Sequence, residues 1–576
     1  MSTTYRNAMM VIKIQYYCLS PFQTHMSTIQ KPLIGSSDFD KILSKNILVV
    51  DKTLFIKEFI ENASEVNCIL RPRRFGKSTN LSMLKSFFSL GAQPDSFSHY
   101  LIGKETDIVK QHCGKYPVVY LNLKDCKGDS WQDMYEQLWI SLCEMVNRHQ
   151  SDLTDDEIKN YKFGNDAPKR SALVSNILNW LMCELHKKYK KKVIVLIDEY
   201  DAPLNNAFNN GFYVEASKFF GLFYSRALKQ DGNSTLEKAC LMGIVEAIGA
   251  GILSGLNNTS VFSVAQDIYS SFFGFTVEEI SSCFALKPND FAEVLEWYNG
   301  YTFGSNKVIN PWSFMNWFSQ GVLAPYWITS AYMETLSSLL SNHVKNILIP
   351  IFCIMYDEQA SYPVSPLVTK VNYSKTDWTA THILHFLIHA GYLTYNTTTK
   401  CVSIPNKEIY EIWETEVRSL LDTSYNQQYQ YSIRESLEVF NVGAIENVMR
   451  EMILSCSSFD VPSENSYHMF FYGCFFCILN SFDNTVVSSN KEAGHGRYDI
   501  RIEFRDLKRA VVFEFKKSKT SSTLDFDAQK GMNQLLELNY AADLGEYQCL
   551  LIGVAFYKKI MSKIVYQIID TRNNTQ

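Results

Sequence analysis

The chain has 576 residues, a formal net charge of -5, and a composition that is 46% hydrophobic and 20% charged. Such a length exceeds what one hydrophobic core can serve, so we expect three or four domains. The composition is that of an ordinary globular protein, and the acidic balance excludes a surface coated with nucleic acid, while a local basic groove stays compatible with it.

The cysteines and the apolar segments indicate the cellular compartment of the protein. A single Cys-X-X-Cys pair, Cys474 and Cys477, lies in an apolar, helical run without a second pair to complete a zinc site, so we interpret it as two buried thiols. Scattered single cysteines are typical of a reducing compartment. No segment reaches the roughly 18 apolar residues that cross a bilayer. We therefore expect a soluble intracellular protein, cytoplasmic or nuclear, with no membrane partner.

The first part of the chain alternates short β-branched runs with longer amphipathic segments. Residues 1–30 are predicted to form an extension without regular structure, and 31–264 to form the first domain. The β-branched runs predict strands at 66–71, 116–123, 192–198 and 240–245. The amphipathic segments predict helices at 77–89, 130–149, 171–189 and 212–229. This order predicts a mostly parallel sheet wrapped by helices, with ligands at the carboxyl ends of the strands.

The stretch ILRPRRFGKST, residues 69–79, ends as a phosphate-binding loop does. Gly76, Lys77 and Ser78 fit the second half of the Walker A pattern. Because the stretch follows a predicted strand and opens a predicted helix, backbone N–H groups at the helix start would hold phosphate. Lys77 would reach the terminal phosphates, and the Ser78 hydroxyl would bind Mg²⁺.

Arginines occupy the start of this loop. Arg71 stands where the first glycine of the pattern belongs, and with Pro72 it cannot make the same tight turn, so the loop must have a different shape. Arg71, Arg73 and Arg74 would add positive charge near the phosphates. We count them, together with Thr79, among the nucleotide-binding residues. The alternative is that these arginines are structural or face another surface.

The stretch VIVLIDEYDAPL, residues 193–204, supplies a second half of a nucleotide site. Asp198, at the end of an apolar run, would hold Mg²⁺ directly or through water, and Glu199 would polarise the attacking water. Taken alone, such a run is about as often a buried strand that leads to a solvated turn. Here the loop comes first, between a predicted strand and a predicted helix, and the Asp-Glu pair ends a later predicted strand. With this order and placement, the two stretches together predict binding of ATP with Mg²⁺.

Helical periodicity dominates from 265 to 430. Within it, residues 378–413 predict two helices with a small hairpin between them, a winged-helix-like outline. A final unit, 435–576, begins with helices and turns to strands near 497–504 and 510–516, followed by a helix and a further strand at 548–557.

The stretch GRYDIRIEFRDLKRAVVFEFKKSKT, residues 496–520, contains an aspartate followed by Glu-X-Lys. Glu514 and Lys516 are two residues apart in a predicted strand and therefore share a face, which Asp499 reaches if the two strands pair. The carboxylates would then bind Mg²⁺ or Mn²⁺, and the lysine would position or deprotonate a water. Spacing alone favours a solvated hairpin face.

The charge around this stretch is positive in an acidic chain. Between Lys491 and Lys519 there are nine Lys or Arg and five Asp or Glu, a local balance of +4. Basic residues around the site would hold a phosphate backbone. An ordinary solvated face explains the charge equally well.

Several further motifs occur in order along the chain. They are VDKTLFIKEFIE (50–61), ILRPRRFGKST (69–79), VLIDEYDAPL (195–204), SGLNN (254–258), GFTVEEI (274–280), YNGYTFG (298–304), NPWSF (310–314) and GYLT (391–394). Together they resemble the AAA-ATPase-like family, whose members typically carry a C-terminal PD-(D/E)XK nuclease-superfamily domain. The resemblance implies that Arg71 follows a family variant of the loop.

The same resemblance implies the nuclease residues. It carries over Asp499, Glu514 and Lys516 as catalytic residues. Gln534, six residues before Tyr540 in NQLLELNY, matches the family's Gln-Ile…Tyr helix, with leucine here in place of isoleucine. Glu464 would be the upstream acid of the superfamily.

Two residues depart from the family pattern. Met242 stands where that family usually has a threonine that senses the γ-phosphate, and Glu246 stands where a basic residue commonly follows. Both departures bear on hydrolysis more than on binding, so we expect slow ATP turnover or none.

The sequence therefore predicts an α/β protein with three parts: a P-loop NTPase-like parallel sheet domain, a helical, winged-helix-like middle region, and an α/β PD-(D/E)XK nuclease-like domain. The leading hypothesis is an ATP-binding protein with a metal-dependent nuclease that acts on DNA or RNA. The alternative is a non-enzymatic, ATP-binding regulator whose nuclease fold is a binding platform. A homo-oligomer stays open, because no arginine stands out as one that a neighbouring subunit would present to the nucleotide.

Overall fold

The structure, a computed structural model, describes most of the chain from residue 35 to residue 571. The described ranges are 35–45, 50–154, 172–229, 235–248, 257–284, 286–329, 347, 350–356, 360–364, 370–372, 378–424, 427–455, 464–479 and 482–571. The predicted N-terminal extension, 1–30, and most of the SGLNN motif lie outside these ranges.

Five parallel strands form the sheet of the first domain. They are β1 (Val66–Leu70), β2 (Val118–Asn122), β3 (Val193–Asp198), β4 (Leu236–Gly243) and β6 (Thr259–Phe262), and a short β5 (Glu246–Ile248) lies outside the sheet. Their order is β2-β3-β4-β1-β6, with every neighbouring pair parallel. β1, β3 and most of β4 are apolar and buried, as expected of parallel strands that are covered on both faces. β4 thus separates the strand that leads into the loop from the strand that ends in the Asp-Glu pair.

Helices surround this sheet. They are α1 (Phe39–Lys45), α2 (Leu54–Glu61), α3 (Lys77–Phe88), α4 (Thr106–His112), α5 (Trp131–Asn147), α6 (Ile177–Tyr189), α7 (Ala202–Asn209) and α8 (Tyr213–Leu228). Four of them, α3, α5, α6 and α8, confirm predicted helices, although α6 begins later than the pattern indicated. Local signals explain the boundaries: the Ser130 hydroxyl accepts from the Asp133 N–H at 3.2 Å and caps α5.

The strand predictions are confirmed for β1 to β4, and β6 was missed. Its sequence, TSVF, is short and half polar, so it shows neither alternation nor an apolar run. It forms because its backbone pairs with β1, from Val66 opposite Thr259 to Ile69 opposite Phe262. That pairing joins residues far apart in the chain, which local patterns do not reveal.

The middle region is largely helical with small sheets. Its elements are α9 (Val277–Cys283), α10 (Pro288–Tyr298), β7 (Tyr301–Phe303), β8 (Asn306–Val308), α11 (Pro311–Gln320), β9 (Tyr362–Pro363), β10 (Lys370–Asn372), α12 (Ala380–Ala390), β11 (Thr394–Asn396), β12 (Cys401–Ser403) and α13 (Lys407–Ser424). α12, the β11–β12 hairpin and α13 confirm the predicted helix-hairpin-helix order, with β9 added to the hairpin. β10 pairs in parallel with β5 of the first domain.

The last part of the chain forms a mixed sheet between helices. Its elements are α14 (Gln427–Glu438), α15 (Val442–Ser455), α16 (Glu464–Leu479), β13 (Thr485–Ser489), β14 (Glu492–Ala493), β15 (Gly496–Arg497), β16 (Ile500–Phe504), β17 (Arg509–Lys517), α17 (Leu524–Glu537), β18 (Gln548–Tyr557), β19 (Ile560–Met561) and β20 (Val565–Asp570). The sheet order is β13-β16-β17-β18, and both β19 and β20 pair with β18. Only β17 and β18 are parallel among these pairs, and α17 connects them.

The cysteine pair lies on α16, as predicted. Cys474 is buried, Cys477 is half-buried, and neither forms a disulfide. The Cys477 sulfur lies 3.5 Å from the Tyr356 hydroxyl of the middle region. Among the residues that the structure describes, none of the helices combines the length and the apolar composition needed to span a bilayer.

Candidate functional sites

The loop between β1 and α3 places Gly-Lys-Ser at the start of a helix. Gly76 precedes the helix with a φ of 83°, a left-handed conformation that glycine adopts at little cost. α3 begins at Lys77, and Ser78 and Thr79 follow in its first turn. The first N–H groups of a helix lack partners inside it, so this turn can hold a phosphate.

The Lys77 side chain is tied to its own loop. It is buried, and its Nζ donates to the carbonyl oxygens of Arg71, at 3.1 Å, and Pro72, at 3.0 Å. These two bonds hold the loop against the lysine. A phosphate would compete for the same donor, so nucleotide binding requires Lys77 to exchange main-chain oxygens for phosphate oxygens.

Arg71 points away from the phosphate side of the loop. It is fully buried, and its guanidinium donates to main-chain carbonyls and lies against two aromatic rings. The carbonyls are those of Leu70 (2.8 Å), Phe262 (3.0 Å) and Ile268 (3.3 Å), and the ring centroids are those of Phe273 and Phe303, both at 5.3 Å. Burial lowers the pKa of Arg71 to about 9, so the side chain stays charged at neutral pH. These contacts favour the structural alternative for Arg71.

Arg73 is half-buried, and Arg74 lies on the outer side of the loop. Arg74 is exposed, has a φ of 69°, and places its guanidinium carbon 4.0 Å from the ring centroid of Trp312. Burial and the neighbouring Arg73 lower the pKa of Arg74. The Arg73 carbonyl accepts from the Trp327 indole at 3.4 Å. Of the three arginines, Arg74 is the one whose charge is presented to solvent beside the loop.

The middle region packs directly on this loop. Phe75 is buried, with its ring centroid 4.8 Å from that of Tyr301 and 5.0 Å from that of Phe303, both edge-on. We call Phe75, Tyr301, Phe303, Trp312 and Trp327 the loop clamp. The stretches RPRRFGKS and YNGYTFG therefore form one packed unit.

Asp198 ends β3 next to Lys77 and Ser78. It is fully buried, and its Oδ1 accepts from the Glu199 N–H at 3.1 Å, while Oδ2 has no hydrogen-bond partner among the described residues. Burial and the Glu199 charge raise the pKa of Asp198 to about 6, and the nearby Ser78 hydroxyl and Lys77 ammonium act in the opposite direction. A buried carboxylate oxygen without a donor fits a Mg²⁺ that the Ser78 hydroxyl would also ligate.

The residues after Asp198 are held in an unusual turn. Glu199 has a φ of 53°, a left-handed conformation that costs a non-glycine residue about 1–3 kcal/mol. Asp201 is fully buried, and its Oδ2 accepts from the N–H groups of Ile244 and Val245, each at 3.0 Å. Burial raises the pKa of Asp201. Asp201 was not predicted as a site residue, although its position three residues after Asp198 in the stretch DEYDAP was a usable signal.

Met242 lies at the centre of the site's floor. It sits in β4, opposite Asp198 on β3 and opposite Ile69 on β1, and it is buried. A thioether is only a weak acceptor and cannot donate to a γ-phosphate oxygen. Glu246, a short way on, is also buried and adds no positive charge. These environments agree with the expectation of slow turnover, which stays a prediction.

The second site forms where β16 and β17 pair. The strands are antiparallel, with Ile500 opposite Phe513, so Asp499 comes to lie beside the centre of β17. Its Oδ2 accepts from the Phe515 N–H at 2.7 Å. Glu514 is 2% exposed, and its Oε1 lies 2.8 Å from the Lys516 Nζ. The structure therefore brings Asp499, Glu514 and Lys516 together, as the strand periodicity indicated.

Gln534 of α17 and Tyr540, in the turn after this helix, lie next to the same site. The Gln534 amide donates to the Tyr540 hydroxyl at 3.1 Å. Burial raises the pKa of Tyr540, the Gln534 bond lowers it, the charges of Glu514 and Asp499 raise it, and Lys516 lowers it. The Tyr540 hydroxyl is thus held by Gln534 and lies within electrostatic range of Asp499, Glu514 and Lys516.

Two carboxylates are available here for a metal ion. Asp499 and Glu514 offer hard oxygen ligands at a half-buried position, which fits Mg²⁺ or Mn²⁺ with water and substrate oxygens completing the shell. Over the described ranges, no group of three His, Cys, Asp or Glu residues is arranged to hold a metal ion. Glu464 begins α16, and its side chain lies outside the described part of the structure.

Comparison with known proteins gives matches over two parts of the chain. Residues 33–253 match the family described as predicted AAA-ATPase, and residues 462–565 match the PD-(D/E)XK nuclease superfamily. An uncharacterized protein in the vnfD 5′ region of Azotobacter chroococcum is 28% identical over 313 residues, which cover 54% of this chain and 55% of that protein. The chain thus spans about half the length of this relative.

Among solved structures, a Walker-type ATPase of Pyrococcus abyssi is similar at 13% identity and a TM-score of 0.36, over 64% of this chain and 96% of that one. A likeness at this level adds nothing to the fold, which rests on the strand order and the two family matches. The chain is therefore similar to predicted AAA-ATPases over its first part and to the PD-(D/E)XK nuclease superfamily over its last part.

Proposed function

We propose that this protein binds ATP with Mg²⁺ in its first domain and cleaves nucleic acid phosphodiesters in its last. The observation that carries the nuclease proposal is the arrangement at β17, where the Phe515 N–H holds Asp499 at 2.7 Å beside the buried Glu514 and Lys516. Glu514 is a buried carboxylate that lies 2.8 Å from the Lys516 ammonium, and a divalent ion would add further positive charge beside it.

Each residue has a distinct part in this proposal. Asp499 and Glu514 would hold the ion, which would lower the pKa of a bound water and offset charge on the phosphate when present. The Lys516 side chain, oriented by Glu514, would hold the attacking water as an ammonium, or deprotonate it as the neutral amine. Gln534 fixes the Tyr540 hydroxyl at the edge of the site.

At the first site, Lys77 would leave its two carbonyl partners to reach the nucleotide phosphates. Asp198 and Ser78 would hold Mg²⁺, and Glu199 would orient the attacking water. With Met242 in place of a polar side chain next to Asp198, transition-state stabilisation is reduced, so we infer slow turnover.

The loop clamp supports a role for the middle region in coupling the two sites. Arg71 and Phe75 reach into β7, so a change in loop shape on nucleotide binding must be felt by Tyr301 and Phe303. The middle region also contacts the last domain, where Tyr356 packs on α16. The first domain would then act as a switch on the second.

The experiment is cleavage of plasmid, single-stranded DNA and RNA by purified protein, with and without ATP and Mn²⁺. Mn²⁺-dependent cleavage is expected, and it should be lost in Asp499→Ala and Lys516→Ala. Lys517→Ala is the matched control, because Lys517 lies on the opposite face of the strand. If cleavage persists unchanged in both site variants, Asp499 and Lys516 are not part of the nuclease site.

A regulator without enzymatic activity is the second candidate, and the apolar Met242 at the floor of the nucleotide site favours it. In that case the protein binds ATP, and the nuclease fold binds nucleic acid without cutting it. Mn²⁺ titration by calorimetry separates the two, since a cleaving site must bind the ion through Asp499 and Glu514.

A further inference from the structure

α16 carries a histidine that contacts the candidate metal ligand from inside the domain. His468 is only 3% exposed, and its Nε2 lies 2.7 Å from the main-chain oxygen of Asp499 and 2.8 Å from the Ser489 hydroxyl. Its Nδ1 lies 4.0 Å from Oδ1 of Asp499. One imidazole edge therefore runs alongside both the backbone and the carboxylate of a single residue.

The Asp499 carbonyl oxygen determines which nitrogen of the His468 ring carries the hydrogen. A carbonyl oxygen can only accept, so Nε2 is the protonated nitrogen and donates to the Asp499 carbonyl. The Asn490 N–H donates to the same oxygen at 3.3 Å, and the Phe515 N–H donates to the carboxylate at 2.7 Å. Main-chain and side-chain oxygens of Asp499 are thus held by three separate donors.

The surroundings of His468 keep the ring in place. Glu514 and Lys516 face α17, and Phe515 between them faces α16. The His468 ring lies nearly parallel to that of Phe515, 6.3 Å away at 21°, and Phe471 stacks on the same ring at 5.4 Å and 6°. A buried side chain packed in this way has a single orientation, so the position of its hydrogen-bond partner is set by the core.

A buried histidine can also be no more than a satisfied core residue. Here, however, His468 donates its hydrogen bond to Asp499, the residue whose carboxylate faces the candidate metal position. His468 lies on the other side of β17 from the site, and β17 carries Glu514 and Lys516. Residues that orient a metal ligand from behind in this way are a regular part of metal sites.

We propose that His468 is a positioning residue that sets the orientation of the Asp499 carboxylate toward a divalent ion. The proposal rests on the nuclease function proposed above. It assigns no direct contact with ion or substrate to the histidine.

The test compares two amide substitutions in the full chain. In His468→Gln the side-chain nitrogen reaches about as far as Nε2 and can still donate to the Asp499 carbonyl, whereas in His468→Asn it stops short. Mn²⁺ affinity is measured by calorimetry without nucleic acid, and the site is identified as the one lost in Asp499→Asn. Urea unfolding of each variant is measured in parallel.

We expect His468→Asn to weaken Mn²⁺ binding by about 10–100-fold. His468→Gln should stay within about threefold of the unchanged protein, although both variants lose some stability. His495→Asn, in an exposed loop of the same domain, is the control and should leave affinity unchanged. Equal Mn²⁺ affinity in His468→Asn, His468→Gln and the unchanged protein overturns the positioning role. If the unchanged protein shows no site that Asp499→Asn removes, the proposed nuclease function fails and the inference fails with it.

Discussion

Arg71 and Arg74 stand three residues apart in one loop and have opposite environments. Arg71 is fully buried among carbonyl oxygens and aromatic rings, and Arg74 is exposed over Trp312. A glycine at 71 would leave Leu70, Phe262 and Ile268 with fewer donors and a cavity between β1 and the middle region. The side chain that departs from the usual loop pattern is therefore part of the core.

Replacing these arginines should separate the two roles. Arg71→Ala is expected to lower the free energy of unfolding by about 3 kcal/mol or more, because buried carbonyls lose donors and a cavity forms. Arg74→Ala should change it by less than about 1 kcal/mol. Urea unfolding without nucleotide measures both, and equal losses would contradict a structural role for Arg71.

Asp198 links stability to pH. Its pKa rises from 3.8 to about 6, so the folded protein holds this proton more tightly than the unfolded chain does. The resulting stabilisation is fully present below pH 3.8 and is lost as the pH rises through about 6. Above that pH the carboxylate is ionised and buried, the Lys77 ammonium only partly offsets the cost of burying this charge, and the nucleotide-free protein is less stable.

Asp198→Asn should therefore raise the free energy of unfolding in metal-free buffer at pH 8, by up to about 3 kcal/mol for a shift of roughly two pKa units. The gain should be smaller at pH 5, where the aspartate is mostly protonated. The same variant should lose the Mg²⁺ dependence of ATP binding. Urea unfolding at the two pH values and fluorescent-nucleotide titration check these outcomes, and a variant less stable at pH 8 than at pH 5, relative to the unchanged protein, would contradict the shift.

At the scale of elements, one face of β17 packs in the hydrophobic core and the other face carries the site residues. Phe513 and Phe515 stack against aromatic rings of α16, while Glu514 and Lys516 face α17. α17 approaches the sheet closely at Gly553 of β18. A Cβ at Gly553 would come within 2.5 Å of the Met532 nitrogen and 2.6 Å of the Ala528 oxygen, both backbone atoms.

Gly553→Ala should push α17 off the sheet, and Gln534 with it. We expect a loss of about 1–3 kcal/mol in unfolding free energy, because backbone atoms cannot yield as a side chain can. Gly545→Ala is the matched control, since no heavy atom lies within 4 Å of its added Cβ, and it should change stability by less than about 0.5 kcal/mol. Chemical denaturation of the two variants decides the matter, and similar effects would argue against tight helix-sheet contact.

At the scale of the whole molecule, the middle region touches the nucleotide loop and, through Tyr356, helix α16 of the last domain. The loop clamp contacts the nucleotide loop, the Tyr301 hydroxyl donates to the Gly391 carbonyl at 3.0 Å, and the Trp413 indole donates to the Tyr392 carbonyl at 2.9 Å. These bonds run from β7 through the turn after α12 to α13. A change at the loop thus has a continuous set of contacts through which to act.

ATP with Mg²⁺ should loosen the loop clamp, because Lys77 must release the Arg71 and Pro72 carbonyls to bind phosphate. Hydrogen exchange of residues 298–308 is expected to become faster with ATP in the unchanged protein and to stay constant in Lys77→Ala. Lys85→Ala, on the same helix, should behave as the unchanged protein does. Hydrogen exchange of these residues that does not change with ATP would refute coupling of the nucleotide loop to the middle region through β7.

Local sequence patterns determined much of the fold. Apolar runs predicted β1 to β4, amphipathic spacing predicted α3, α5, α6 and α8, and the helix-hairpin-helix order of the middle region was readable from periodicity. The two-residue strand period also placed Glu514 and Lys516 on one face. These features depend on interactions between residues near one another in the chain, so one sequence suffices to indicate them.

Tertiary structure alone decided the rest. The direction of the Arg71 side chain, the strand β6, the bonds of Asp201 to residues 244 and 245, and the contact of His468 with Asp499 all join segments that are distant in the chain. Their formation depends on which surfaces meet when the core packs, and the free energy of that packing is shared among many residues. For this reason the sequence named the loop and the carboxylates, while only the packed molecule showed what holds them in place.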